Sequence, residues 1–594
     1  MNSLAYLNKY LYKYRFRLIL GTIFVTVSNF FAVVPAQIIR MAFDLVNENI
    51  GIMQLYRGFE LQPSAYSIFS SIVLLFGALV LLMALLRGIF LFFMRQTIIV
   101  VSRLIEYDLK NEIYTHYQEL SLAFYRRNNT GDLMNRITED VSRVRMYLGP
   151  AIMYSINTVA LFVMVIITML SINVKLTFFT ILPLPVLAIV IYIVNSRIHR
   201  KSEQIQEQLS TISTFVQETF AGIRIMKAYV REKQTRKDFG RESQEYMDRS
   251  VSLAKLQAVF FPVIVLLVGI SILLTVYIGG IEVSRGRITT GNIAEFIVYI
   301  GQLTFPMMAL GWVSSIVQRA AASQKRINQF LHTRPEILSP DVPGTAVEGN
   351  IEFRNVSFTY PDTGIKALEN VSFSAKKGEF LAIIGHTGSG KSTIVNLLGR
   401  MYDVNSGSVL VDGKDIREYN LTSLRQSFAF VPQDVFLFSD SIKNNIGFGL
   451  DQFSDEEIEN AARNAAIYDN IQHFPEKFET RTGERGITMS GGQKQRTSIA
   501  RAIIKDPAVL IFDDSLSAVD TKTEEEILQN LGRIMRGRTS IIISHRVSTI
   551  KNADNILVMK QGRVAESGTH EQLLAQEGLY KQLFEKQLLE EESG

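Results

Sequence analysis

Cysteine is absent from the 594 residues, and tryptophan occurs once. Without thiols there can be no disulfide and no thiolate metal site, although this absence names no compartment. Strong charge of either sign is also missing. Sixty-two basic residues against 57 acidic ones leave a net +5, an excess more easily assigned to cytoplasmic loops than to a nucleic-acid groove. No nucleic-acid partner is expected. No small-residue cleavage site follows the first apolar stretch in "MNSLAYLNKYLYKYRFRLIL", so that stretch reads as a retained membrane helix and not as a removable signal.

What is abundant is apolar surface. Hydrophobic side chains make up 47% of a chain too long for one core, and that share is too high for a purely soluble protein. Six runs, 18–39, 71–94, 152–171, 176–194, 259–281 and 293–317, are long enough to cross a bilayer, which takes roughly 20 residues of helix. Beyond about residue 333 the pattern changes to short strands, glycine turns and amphipathic helices. The expected division is a transmembrane domain at 1–332, a linker at 333–348 and a soluble domain at 349–594.

Cytoplasmic segments retain Lys and Arg, and this orients the chain. Lys9, Lys13, Arg15 and Arg17 precede the first run, and the stretches 95–150 and 195–256 are rich in basic residues. Both ends are therefore expected inside. The two long stretches interleave charges with Leu, Ile and Tyr, and they are expected to continue the spanning helices into the cytoplasm rather than form solvated loops. Pro35, Pro183, Pro185, Pro262 and Pro306 each remove a backbone donor and should loosen a helix locally. Arg87, near the inner end of the second run, is expected to snorkel toward the cytoplasmic surface. Phe162, Met164, Met307 and Met308 are candidate cavity residues, with packing the expected role for each.

In the soluble part, "FLAIIGHTGSGKST" places an apolar strand before Gly385, His386, Thr387, Gly388, Ser389 and Gly390, then Lys391, Ser392 and Thr393 at the start of a helix. A phosphate cradle requires this order of strand, glycine loop and helix. Glycines let successive amides face the anion, Lys391 neutralises the outer phosphates, Ser392 offers a hydroxyl to magnesium, and the helix dipole favours negative charge. "LIFDDSLSAVD" ends a second apolar strand on Asp513 and Asp514, and "IIISHR" brings His545 to the end of a third. Ser490, Gly491, Gly492 and Gln493 in "ITMSGGQKQRTSIARAII" form another small-residue anion loop at a helix start. A monomeric ATPase has no need of it.

With these motifs in this order, the chain resembles the ATP-binding cassette family over nearly its whole length, and the six preceding runs resemble a half-transporter of the exporter type. The resemblance implies a membrane α-helical bundle of six transmembrane helices followed by a cytoplasmic α/β P-loop NTPase domain, in a multi-pass protein of the cell membrane. ATP and Mg2+ are the implied cofactors. Tyr360 in "VSFTYP" matches the aromatic residue that stacks on adenine, and Gln433 in "FVPQDVFLFSDSIKNNI" matches the glutamine that senses magnesium. Ser392, Gln433 and Asp513 are the implied metal residues, and Asp514, His545 and Gln433 the implied catalytic ones. "TGERG" (482–486) and "SAVD" (517–520) match loops that link the cassettes to each other and to the membrane helices. "AFYRRNNTGDLMNRITEDV" and "ETFAGIRIMKAYVRE" resemble the two intracellular loops whose short helices press on the cassettes. Taken singly, Tyr360 reads as a core aromatic, Gln433 as a surface amide and His545 as a capping residue; the spaced order gives them their meaning.

The family arrangement implies that nucleotide is held between the P-loop of one cassette and the "SGGQ" loop of another, so a dimer is expected. The chain departs from the family pattern at two positions. Met489 replaces the usual leucine before the "SGGQ" loop, and Asp514 stands where glutamate usually acts as general base. One methylene less withdraws the carboxylate by about one ångström, while a base must lie within about 2.6 to 3.2 Å of its proton. Misplacement of that order costs about 100-fold in rate. The expected partner is therefore a second half-transporter with glutamate there, a heterodimer being favoured over a homodimer. The expected function is export of hydrophobic or amphipathic drugs, lipids or peptides, with an ATP-gated channel or regulatory subunit and a homodimeric lipid flippase as alternatives. The six runs disfavour a membrane-tethered repair or translation ATPase.

Overall fold

The computed structural model describes residues 2–55, 58, 62–483, 486–515 and 521–593. The chain divides into two units, Met1–His116 with Gly131–Thr333, and Tyr117–Thr130 with Arg334–Gly594.

In the first unit, six helices among the described residues are long and apolar enough to cross a membrane: Arg15–Ile50, Pro63–Glu119, Thr130–Ile172, Val174–Ala221, Glu232–Ser284 and Thr290–Leu331. They correspond to the six apolar runs. The helix Gln62–Glu119 has 58 residues, or about 85 Å at the helical rise, against roughly 30 Å of hydrocarbon. Most of its length therefore lies outside the bilayer, and the basic stretches continue the spans as helix. Along the second span the apolar side chains face outward, Leu74 and Leu81 among them. Such a face is stable only against lipid or another apolar surface.

Pro35, Pro262 and Pro306 sit inside helices that continue without a break. Pro183 behaves differently. Within the span Val174–Ala221 the helix is interrupted for one residue, between Val174–Ile181 and Pro183–Ala221; Leu182 keeps right-handed helical angles and its N–H donates to the Phe178 carbonyl at 3.0 Å, so the proline loosens the helix locally without ending it. The helix run ending at Ile172 contains wider π-type turns at Arg136–Asp140 and Tyr147–Ala151, the second around Pro150. Phe162, Met164 and Met307 pack against the buried membrane core around Leu161, Val165 and Phe296; the Met308 side chain lies outside the described residues. Arg87 is exposed on its helix. The buried hydroxyls of Thr180 and Thr275 satisfy each other at 2.8 Å, as polar groups between membrane helices must.

The second unit contains two sheets. β1 (Ile351–Thr359), β2 (Lys366–Ala375), β4 (Ser406–Val411) and β5 (Lys414–Asp415) form an antiparallel sheet in the order β2-β1-β4-β5. A second sheet has the order β10-β9-β3-β8-β7-β6, built from β3 (Phe380–Gly385), β6 (Phe428–Val431), β7 (Val509–Asp513), β8 (Thr539–Ile543), β9 (Asn555–Lys560) and β10 (Arg563–Gly568). Its strands are parallel except β10. Parallel strands covered on both faces need continuous apolar sequence, and "VLIFD" and "TSIII" are buried throughout. One core gathers Ile384, Val431, Phe512 and Ile542; the other gathers Ile383, Ile394, Ile511 and Ile543. Ala123, from the short helix Leu122–Arg127, is fully buried in the second core, and Arg127 Nη1 lies 2.9 Å from Glu336 Oε1.

Candidate functional site

The register of the parallel sheet brings the chemistry to one edge. Ile383 of β3 pairs with Ile543 of β8, and Ile543 pairs with Asp513 of β7. Gly385, Asp513 and His545 therefore leave neighbouring strands at the same carboxyl end, where open parallel sheets place their ligands.

The loop after β3 is shaped by glycine. Gly390 has φ +99°, and a Cβ there would meet the Ala367 carbonyl oxygen at 2.5 Å, so no other residue fits. Gly388 has φ +80° and nothing within 4 Å of a Cβ, leaving open space above the loop. Lys391, buried at the first turn of the helix Lys391–Leu398, donates to the carbonyls of Gly385 at 2.9 Å and His386 at 3.0 Å. Burial pushes its ammonium below the ordinary value, with Asp513 and Asp514 opposing. The Ser389 hydroxyl is buried with no partner. An open loop with a buried cation and an orphaned hydroxyl fits a bound triphosphate.

Ser392 hydrogen-bonds Asp513, whose carboxyl is nevertheless held above its ordinary value by burial. A hydroxyl and a buried carboxylate side by side form an oxygen donor set suited to Mg2+. Asp514, the next residue, has a left-handed backbone at φ +46°, and its N–H donates to the Ile543 carbonyl at 2.9 Å. Gln433, after β6, donates Nε2 to Asp514 Oδ2 at 3.3 Å. His545 lies in the same field. Burial and then the Lys391 charge hold its imidazole below the ordinary value, while Asp514 and Asp513 pull the other way.

Tyr360 closes one side of the P-loop, its hydroxyl 3.1 Å from Thr393 Oγ1. Phe358 and Tyr402 meet its ring edge-on, with centroids at 5.0 and 5.5 Å. Arg126, from the helix Leu122–Arg127, lies over that ring at 5.0 Å. Neither Tyr402 nor Arg126 was singled out by sequence. The fragment containing Arg126 was, but nothing in its local pattern points to a partner 234 positions away.

Ser490 caps the 13-residue helix Gly491–Ile503: its hydroxyl accepts from the Gln493 N–H at 3.3 Å, and its own N–H donates to Gln493 Oε1 at 2.9 Å. Gly491 and Gly492 form the first turn. Among the described residues, no hydrogen bond joins this loop to the P-loop of its own chain. Glu484 and Arg485 of "TGERG", and all of "SAVD", lie outside the described residues.

The family profile described as "ABC transporter transmembrane region" matches residues 18–307, and the one described as "ABC transporter" matches 368–517. A probable multidrug resistance ABC transporter ATP-binding/permease protein, YheI of Bacillus subtilis, is 38% identical over 490 residues, 82% of this chain and 84% of that protein. The chain belongs to the ABC transporter family. The chain is also similar to the multidrug resistance-like ATP-binding protein MdlA of Escherichia coli, 37% identical over 81% of this chain and 82% of that one. An ATP-dependent lipid A-core flippase of Syntrophus aciditrophicus is 34% identical over 87% of this chain and 86% of its own. Among solved structures, a bacterial Atm1-family ABC exporter with ATP bound superposes with a TM-score of 0.76 at 29% identity, covering 96% of this chain and 98% of that one. The present ABC transporter is thus a multi-pass membrane protein with a cytoplasmic nucleotide-binding domain. It binds ATP with Mg2+ and couples ATP hydrolysis to transport.

Proposed function

We propose that this chain is one half of a heterodimeric exporter of hydrophobic or amphipathic compounds, in which its own P-loop belongs to the slower of two composite ATP sites. The observation that carries this reading is Asp514. Lys391, Gln433, Asp513, His545 and the Ser490–Gln493 loop are all present, while the one position expected to poise water has a shortened carboxylate. Its neighbours hold that carboxylate in place: Gln433 bonds it, and the Asp514 N–H is tied to Ile543.

In this reading Tyr360 stacks on the base, the loop from Gly385 to Thr393 wraps the phosphates, and Ser392, Asp513 and Gln433 hold Mg2+. When bound, the ion neutralises phosphate charge and polarises the bond to be cleaved. Asp514 orients water from too far back, and His545 faces the terminal phosphate. Ser490, Gly491, Gly492 and Gln493 complete the partner's site, which suits the absence, among the described residues, of a hydrogen bond between them and the P-loop of their own chain. The functional division is 1–332 for translocation, 333–348 as linker and 349–594 for nucleotide. The lipid A-core flippases among the relatives favour a second reading, a homodimeric lipid flippase.

Affinity purification of the tagged chain from its native membrane separates the two. The heterodimer predicts a second half-transporter at equal amount with glutamate after its magnesium aspartate, together with ATP-dependent uphill movement of an amphipathic dye in vesicles. A homodimer turning over ATP at full rate would end the slow-site reading; passive flux without turnover would end the exporter reading.

A further inference from the structure

The loop that carries His545 is held from outside the site, by the C-terminal helix. Gln587, in the helix Leu579–Ser593, donates Nε2 to the His545 carbonyl and accepts through Oε1 from the Val547 N–H at 2.7 Å. The two bonds bracket Arg546. A carbonyl and an N–H two residues apart need a donor and an acceptor at one place, and a carboxamide side chain offers both on one rigid plane without charge.

The carrier helix is itself anchored. Tyr580 is fully buried, and its N–H donates to Glu566 Oε2 at 3.0 Å. On the other side of the loop, buried Glu524 accepts from Arg546 Nη1 at 2.5 Å and from Thr549 Oγ1 at 2.6 Å. Between these supports is a cleft of about 980 Å3 lined by Glu524, Leu528, His545, Arg546, Lys551 and Gln587. Val547 and Ile550, just beyond the loop, are buried in the core, and the two bonds from Gln587 add direction at the stretch between them and the site.

We infer that Gln587 is a positioning residue for His545, fixing the histidine backbone so that the imidazole meets the phosphate end of the P-loop. The inference rests on the reading that His545 acts at the P-loop of its own chain. Its consequence is that displacing the C-terminal helix slows turnover without loosening nucleotide binding, since neither bond from Gln587 touches Lys391, Ser392, Asp513 or Tyr360.

Hydrogen exchange and ATP turnover test it together on the full-length transporter in lipid nanodiscs, with any glutamate after the partner's magnesium aspartate replaced by glutamine so that turnover reports the P-loop site of this chain. In Gln587→Ala, the Val547 amide should exchange at least about tenfold faster while Thr539–Ile543 is unchanged. In Gln587→Glu, which keeps the acceptor, Val547 should stay protected. Both variants lose the donor to the His545 carbonyl, so both should lower kcat for ATP about tenfold with KM within about twofold, as expected for a misplaced catalytic group. The comparison is made with Asp514 and again with Asp514→Glu. Unchanged exchange at Val547 in Gln587→Ala, unchanged kcat in both variants, or a KM rising in step with falling kcat would each overturn the inference. Failure of Asp514→Glu to speed turnover would instead count against the slow-site reading, with the Gln587 comparison still readable at the rate of the native chain.

Discussion

Gln433 Nε2 donates to Asp514 Oδ2 at 3.3 Å, so the ends of β6 and β7 meet on one carboxylate. The glutamine implied as a magnesium sensor is thereby coupled directly to the shortened base. Replacing Gln433 by Ala removes a long, exposed hydrogen bond that contributes about 0.5 to 1.5 kcal/mol. The free Mg2+ giving half-maximal ATPase should rise by up to about tenfold, while nucleotide binding without Mg2+ changes little.

Lys391 is buried against the carbonyls of Gly385 and His386. Lys391→Ala should weaken ATP binding by about 10- to 100-fold, the loss of one or two charge-assisted bonds. The thermal midpoint without nucleotide should not fall, because burying that ammonium is itself unfavourable. Titration with a fluorescent ATP analogue, paired with a melting curve, checks both statements.

The Tyr360 ring is braced by Phe358 and Tyr402 at its edges and overlaid by Arg126. Stacking on a base contributes about 1 to 3 kcal/mol. Tyr360→Ala should therefore raise the Kd for ATP by roughly 5- to 100-fold, and Tyr360→Trp should retain most of the affinity.

The His545 imidazole is held below its ordinary value of 6.5 by burial and by Lys391. The folded chain keeps it neutral where the unfolded chain already binds a proton. Its contribution to stability is thus complete above pH 6.5 and is lost as pH falls through that value toward the lower folded one. Melting the nucleotide-free transporter at about pH 7.5 and about pH 5.5 should show a smaller drop in Tm for His545→Gln than for the native chain. The carbonyl of residue 545 that Gln587 binds is unaffected by the substitution.

The parts legible in sequence are those encoded locally. Twenty-odd apolar residues announce a span, and glycine, lysine and serine after a buried strand announce the phosphate loop. The basic stretches announced helix beyond the bilayer, and Gln62–Glu119 bears this out. Features set by chain return were invisible: Arg126 over Tyr360, Gln433 on Asp514, and Gln587 clasping the His545 loop depend on contacts between distant segments. The prolines show a subtler limit. A proline in an apolar run reads as a lost donor, but of those named only Pro183 coincides with a one-residue interruption, while Pro35, Pro262 and Pro306 sit in helices that continue, a difference no local pattern encodes.

The central claim is that the P-loop site of this chain binds nucleotide well and hydrolyses it slowly because Asp514 is one methylene short. Steady-state ATP turnover of the full-length transporter tests it most directly, with the partner's glutamate replaced by glutamine so that only the P-loop site of this chain turns over, and with Asp514→Glu compared against native Asp514. The account predicts a rise of about 10- to 100-fold in kcat, with KM changed by less than about twofold. A rate equal to or below that of the native chain, from protein that still binds ATP, would contradict it.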